Sequence, residues 1–303
     1  MKKLSILLAV LLIGCRSGQT EVKTDYNCSP LGLSVADLTE IKAADFVGEK
    51  VTDQQALTLA LVDCLRDTRP EVRDELAYQG LTALLRGNKV KLETMQRLKL
   101  DLLEITKEQD PPKVAAPFAA LVLSEVARSD RIIPWMSAPE RTEFVRSAVD
   151  YVTGVSDYRG FDDEDGWRHG VAHGSDWLMQ LALNKNVTDN DLGLILDGVG
   201  SQIQADKSHA YIHGESERLA RPVILVAQRG VIDADGWARW LGLVIDPAPM
   251  ANWGEAFNSE SGLAQRHNAK SFLKALFVFA AQSDDPNIQM LLPGIKAQLQ
   301  KIP

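Results

Sequence analysis

From Val51 onward, apolar residues recur three and four apart along almost the whole chain, the spacing of amphipathic helices. Thr52 or Asp53 can cap a helix whose apolar face is Ala56, Leu57, Leu59, Ala60, Leu61 and Leu65. Thr68-Arg69-Pro70-Glu71 starts the next, with Val72, Leu76, Ala77, Leu81, Leu84 and Leu85, and Gly87 ends it. Val90 to Ile105 gives a third, broken by Pro111-Pro112. Ala115 to Val126 is another, and Ser137-Ala138-Pro139-Glu140 caps one that ends near Val152. Thr188-Asp189-Asn190-Asp191 opens a helix through Leu194, Ile195, Leu196 and Val199. Glu215, Glu217 and Arg218 open one that Pro222 kinks, and a last long one runs on to Ala281. Strand patterns are almost missing. The pattern predicts an all-α protein: an irregular array of helical hairpins, an α-solenoid or α-α superhelix, or a toroid if the array closes. No repeat period can be fixed.

The stretch Gly166 to Leu183, GWRHGVAHGSDWLMQLAL, reads as one buried helix. On a wheel of 100° per residue, Gly166, Gly170 and Gly174 form a stripe, with His169, His173, Asp176 and Trp177 beside it and Arg168 pointing outward. Glycines inside a helix cost about 1 kcal/mol each relative to alanine, so the stripe predicts close approach of another helix. A buried imidazole needs partners for both ring nitrogens. Two arrangements satisfy that need here. Either His169, His173 and Asp176 hold a divalent metal, or the histidines are core residues bonded to carbonyls or to nearby acids. The run lacks the glutamate of H-E-x-x-H, since Gly170 follows His169.

The acidic loop Asp162-Asp163-Glu164-Asp165 comes just before this stretch and is expected to cap it, or to bring one or two acids to the histidines. His209 and His213 form a second pair four residues apart, with Glu217 nearby. The two pairs either make a four-histidine cluster or serve separately. The fifth histidine, His267, falls on a polar helix face and is left out. All six tryptophans and all five histidines lie beyond residue 134. A cleft is therefore expected in the C-terminal part, with Trp167, His169, His173, Asp176, His209, His213 and Glu217 as its candidate residues. No G-x-S-x-G, P-loop or dinucleotide fingerprint occurs, and neither Ser175 nor Ser216 sits in a nucleophile turn, so no catalytic residue is assigned.

The N-terminus changes the picture of where the protein works. Lys2 and Lys3 precede an apolar run from Leu4 to Ile13, too short to span a membrane and right for a secretory signal. Leu12-Ile13-Gly14-Cys15 resembles the lipobox of bacterial lipoproteins. That resemblance implies cleavage after residue 14 and a lipid on Cys15. Arg16, rather than aspartate, leans towards the outer membrane. Residues 1–14 are thus expected to be signal, 15–30 a lipidated tether and 31–303 one helical domain, exported and facing the periplasm or the outside. Without Lys2 and Lys3 the 33 basic residues become 31 against 41 acidic ones, a net charge of −10. Such a balance excludes nucleic acid and argues against charge-driven binding to anionic lipid, so membrane attachment rests on the lipid. Cys28 and Cys64 either bridge or stand apart as two thiols.

The segment from about Pro70 to Leu241 resembles the bacterial domain of unknown function 2785 family. The matching stretches are Val72 to Tyr78, Phe118 to Leu123, Asp157-Tyr158-Arg159-Gly160 running into Gly166 to Asp176, and Glu217-Arg218-Leu219-Ala220. The resemblance implies an all-helical domain with Trp167, His169, His173 and Asp176 in its signature. Arg168 departs from the small residue expected there. The leading expectation is a helical binding or scaffold module of the envelope, with a protein or glycan partner. The alternative is a metal-dependent hydrolase or glycan-active enzyme using His169, His173 and Asp176, with Glu164 or Glu217 as general base.

Overall fold

The computed structural model describes residues 28–46, 50–108, 113–204 and 208–303. Cys15, the signal and most of the tether lie outside them, as do Pro111 and Pro112. After a short 3-10 turn at Pro30–Gly32 come α1 (Val35–Ala43) and α2 (Gln54–Asp63), the latter capped by Asp53, one of the two caps its sequence offers. A helix then runs from α3 (Pro70–Val72) through a π-helical stretch (Arg73–Tyr78) into α4 (Gln79–Arg86). After it come α5 (Leu92–Ile105), α6 (Ala115–Ile132) and α7 (Ala138–Gly154), whose Ser137 and Glu140 form the expected capping box. A two-stranded hairpin, β1 (Phe161–Asp162) and β2 (Gly166–Trp167), leads into α8 (Gly170–Ala182). The remaining helices are α9 (Asp189–Gln204), α10 (Glu215–Gln228), α11 (Ala234–Val244), α12 (Glu260–Ala281), α13 (Pro286–Gln289) and α14 (Leu292–Lys301).

The protein is all-α apart from that hairpin. Helices α4, α6, α8, α10 and α12 pack one against the next in a row; α5 packs on α6, α7 on α8 and α9, α9 on α8, α10 and α12, and α11 on α9 and α14. The helices form an irregular packed array. One buried apolar cluster runs from Cys28 to Ile302. Among the described residues no helix is long and apolar enough to cross a membrane. Cys28 and Cys64 form a disulfide, their Cα atoms 4.9 Å apart.

The structure corrects the central stretch. The helix begins at Gly170, not Gly166, because Gly166 and Trp167 pair with Asp162 and Phe161 as antiparallel strands. The glycine stripe survives in part. A Cβ on Gly174 would lie 2.6 Å from Val152 and 3.0 Å from Tyr151, so α7 does approach α8 closely there. Arg168 does not point outward. Only 4% exposed, it pairs with Asp162 and Asp165. The acidic loop therefore neutralises a buried arginine and does not cap α8, whose N-cap, His169, makes no side-chain cap bond.

Candidate functional site

The site is built by the hairpin, the start of α8 and the loop into α10. Asp162 Oδ1 accepts from Glu164 N at 3.0 Å and Asp165 N at 2.7 Å, which folds the turn. Arg168 N donates to Gly160 O (2.8 Å) and His169 N to Arg159 O (3.1 Å), closing the hairpin. Arg73 holds it from outside. Fully buried, it donates to Asp165 O at 2.9 Å and Trp167 O at 3.3 Å, pairs with Asp74 and lies over the Phe118 ring. That side chain leaves the π-helical stretch, a distortion often found at functional sites.

The closed hairpin forces His169 into the left-handed region, with φ 57°. A non-glycine residue there carries strain that the surroundings must hold. The His169 ring stacks on Trp167, centroids 4.7 Å apart. Its Nε2 faces Glu215 Oε1 at 3.6 Å, beyond hydrogen-bond range. His213 approaches from the other side, with Nδ1 3.8 Å from the same oxygen. His169 Nε2, His213 Nδ1 and Glu215 Oε1 are all buried and without a hydrogen-bond partner. The other carboxylate oxygen, Oε2, accepts from His213 N at 2.8 Å. Burial holds the His169 imidazolium below its ordinary range, with Glu215 opposing and Arg218 adding to the effect.

The candidate residues divide. Trp167, His169 and His213 come together, and His173 touches them edge-on, its ring 5.6 Å from that of His169. His173 is a core histidine, since its Nδ1 lies 3.1 Å from Pro117 O and its ring meets Phe118. Burial, with His169 next in weight, pushes its pKa down to about 3. Asp176 turns to Arg218, and burial raises its pKa against the pull of that arginine. His169, His173 and Asp176 are thus not drawn round one point, because two of the three are engaged elsewhere. His209 sits beside Tyr158 and Tyr211, so the four-histidine cluster reduces to three. Glu164 and Glu217 are exposed, and the acid at the cluster is Glu215, 1% exposed. Sequence reasoning passed over Glu215 in favour of Glu217. The signal was its place two residues beyond His213 at the start of α10. Of the tryptophans, Trp177 and Trp237 are fully buried core, while Trp167 is 37% exposed above the cluster.

On the other side of the 211–217 loop lies a groove of about 740 Å³. Tyr211, Ser216, Glu217, His267, Ser271 and Lys274 supply its polar lining. Among the described residues no group of three or more His, Cys, Asp or Glu side chains is set to hold a metal ion.

The family described as "Protein of unknown function (DUF2785)" matches residues 102–278, more than half of the chain. The protein belongs to that family. The match starts later and ends later than the Pro70–Leu241 expected from sequence, so Val72 to Tyr78 fall outside it. No curated protein and no solved structure matches the chain.

Proposed function

We propose that the protein is a helical binding module of the bacterial cell envelope, exported by its N-terminal signal and tethered by lipid on Cys15, with the outer membrane favoured. The observation that carries the binding role is the meeting of His169 Nε2, His213 Nδ1 and Glu215 Oε1, buried and unpartnered, beneath the half-exposed Trp167. Buried polar atoms are normally paired. A buried carboxylate oxygen that faces two imidazole nitrogens beyond hydrogen-bond range supports a site that takes a further partner. A sugar or peptide group that donates hydrogen bonds would satisfy Glu215 and stack on Trp167. The test is a titration of cell-wall glycan and peptide fragments against the protein, followed by tryptophan fluorescence. Binding that disappears in Glu215→Gln supports the reading. Equal binding by both proteins removes the cluster from it.

The same three atoms favour a second reading, a metal-dependent hydrolase whose ligands are His169, His213 and Glu215 in place of His169, His173 and Asp176. Two imidazoles and a carboxylate suit zinc. A bound ion would have to draw the present 3.6 and 3.8 Å separations in to roughly 3.0–3.4 Å, the spacing that metal–ligand bonds near 2.1 Å impose. Elemental analysis of protein prepared without chelator or histidine tag decides it. Stoichiometric zinc that is lost in His213→Ala supports a metal enzyme, and metal-free protein of unchanged stability leaves the binding role.

A further inference from the structure

A second surface, remote in chain from the histidine cluster, has an apolar floor and a basic rim. Leu85, Val90, Leu92, Met95, Ile132, Ile133 and Trp135 line a cavity of about 390 Å³ together with Arg86 and Arg128. Leu92, Ile132 and Ile133 are 53%, 51% and 60% exposed, an unusual outlay of large apolar side chains in one place. Trp135 closes one end, its Nε1 donating to Ser129 Oγ at 3.0 Å and Lys99 lying over its ring. Arg128 lines the cavity and the exposed Lys91 stands next to Leu92 in the chain, while Arg86 pairs with the buried Glu125, Lys89 Nζ donates to Asp45 O and Arg131 Nε donates to Gln180 Oε1. In a chain with 33 basic and 41 acidic residues, Arg128 and Lys91 are the cations this face offers.

We infer that this face rests on the membrane, with Leu92, Ile132 and Ile133 entering the headgroup region and the basic rim meeting anionic phospholipid. Apolar tips, a tryptophan and Lys/Arg together are the make-up of an interfacial contact. The inference rests on the proposed lipid at Cys15, and the geometry suits it. Gln55, near the start of α2, donates to Lys89 O and accepts from Lys91 N, both at 2.8 Å. At the other end of α2 Cys64 is bonded to Cys28. Ten helical residues separate these ends by about 15 Å, whereas the chain from Cys15 to Cys28 can span up to about 45 Å. A lipid on Cys15 therefore leaves this face free to reach the same bilayer. The negative net charge argues against anionic lipid for the chain as a whole, and Arg128 and Lys91 are the local cations that would oppose it at this patch.

The test uses the full chain reconstituted in vesicles of phosphatidylcholine, alone or with an equal part of phosphatidylglycerol. Cys28 and Cys64 are bonded, so a single nitroxide can be placed at Ile133→Cys or, as a control, at the exposed Leu243→Cys. Flotation on pure phosphatidylcholine reports the lipid anchor alone, and the label reports the face. In phosphatidylglycerol vesicles the label at 133 should be shielded from an aqueous nickel complex and open to oxygen, while that at 243 stays wet. Arg128→Gln/Lys91→Gln should lower this shielding in charged vesicles, as should high salt. Labels equally wet at 133 and 243 overturn the inference, whether or not the protein floats. Shielding from both reagents marks a second copy of the chain in the groove, and that also overturns it.

Discussion

The His213 ring occupies the place where Gly160 would carry a Cβ, which would stand 2.3 Å from His213 Nδ1. The hairpin and the loop into α10 are in contact there, and the contact fixes how far His213 stands from Glu215. Gly160→Ala should push His213 aside and cost about 1–3 kcal/mol, the range for overpacking a close contact. Denaturant unfolding measures the cost. Loss of ligand response in a still-folded Gly160→Ala protein would tie this spacing to binding.

His173 should make the protein sensitive to acid. Its folded pKa, pushed down to about 3, lies below the ordinary value near 6.5. Its contribution is complete above about pH 6.5 and falls, by about 1.4 kcal/mol per pH unit, as pH drops towards 3. Unfolding free energies measured between those limits should show the slope. In His173→Phe, which keeps an aromatic ring beside Phe118, the slope should flatten, although the variant starts lower because Pro117 O loses its donor.

The disulfide should contribute to the stability of the helical domain. Cys28 and Cys64 are 36 residues apart, and closing such a loop stabilises by roughly 3–4 kcal/mol in the chain-entropy model. Cys28→Ser/Cys64→Ser should lower the unfolding free energy by about that amount. An unchanged midpoint in reductant would show that the bridge adds nothing.

Arg73 should control the order of the hairpin. Arg73→Ala removes its bonds to Asp165 O and Trp167 O and leaves Asp74 unpaired, for a loss of about 3–5 kcal/mol. Hydrogen exchange should quicken from Gly160 to His169 before it does elsewhere.

Helical spacing was enough to find the long helices, their Asp53 and Ser137 caps and the tight approach at Gly174, because each of these is a local pattern. The start of α8 was not legible. Gly166 and Trp167 keep helical spacing with Gly170 and Gly174, yet they pair backwards with Asp162 and Phe161, and that pairing depends on Arg73, more than ninety positions upstream. Arg168 was misplaced for the same reason: a wheel assumes the helix it is drawn for. The choice of Glu217 over Glu215 failed on a single residue. At a helix N-terminus two positions decide between solvent and core, and only packing against the hairpin settles which acid turns inward.

The brace on the hairpin also bears on where the protein can be cut. Family likeness begins at residue 102, yet the guanidinium that steadies Trp167 is at position 73. It leans in turn on Asp67 O, in the short link just past the Cys64 bridge. A fragment trimmed to the shared segment would keep every histidine and lose the strut beneath them. A chain reduced to that segment would need another cation for those two carbonyls, or would hold the motif in a looser loop.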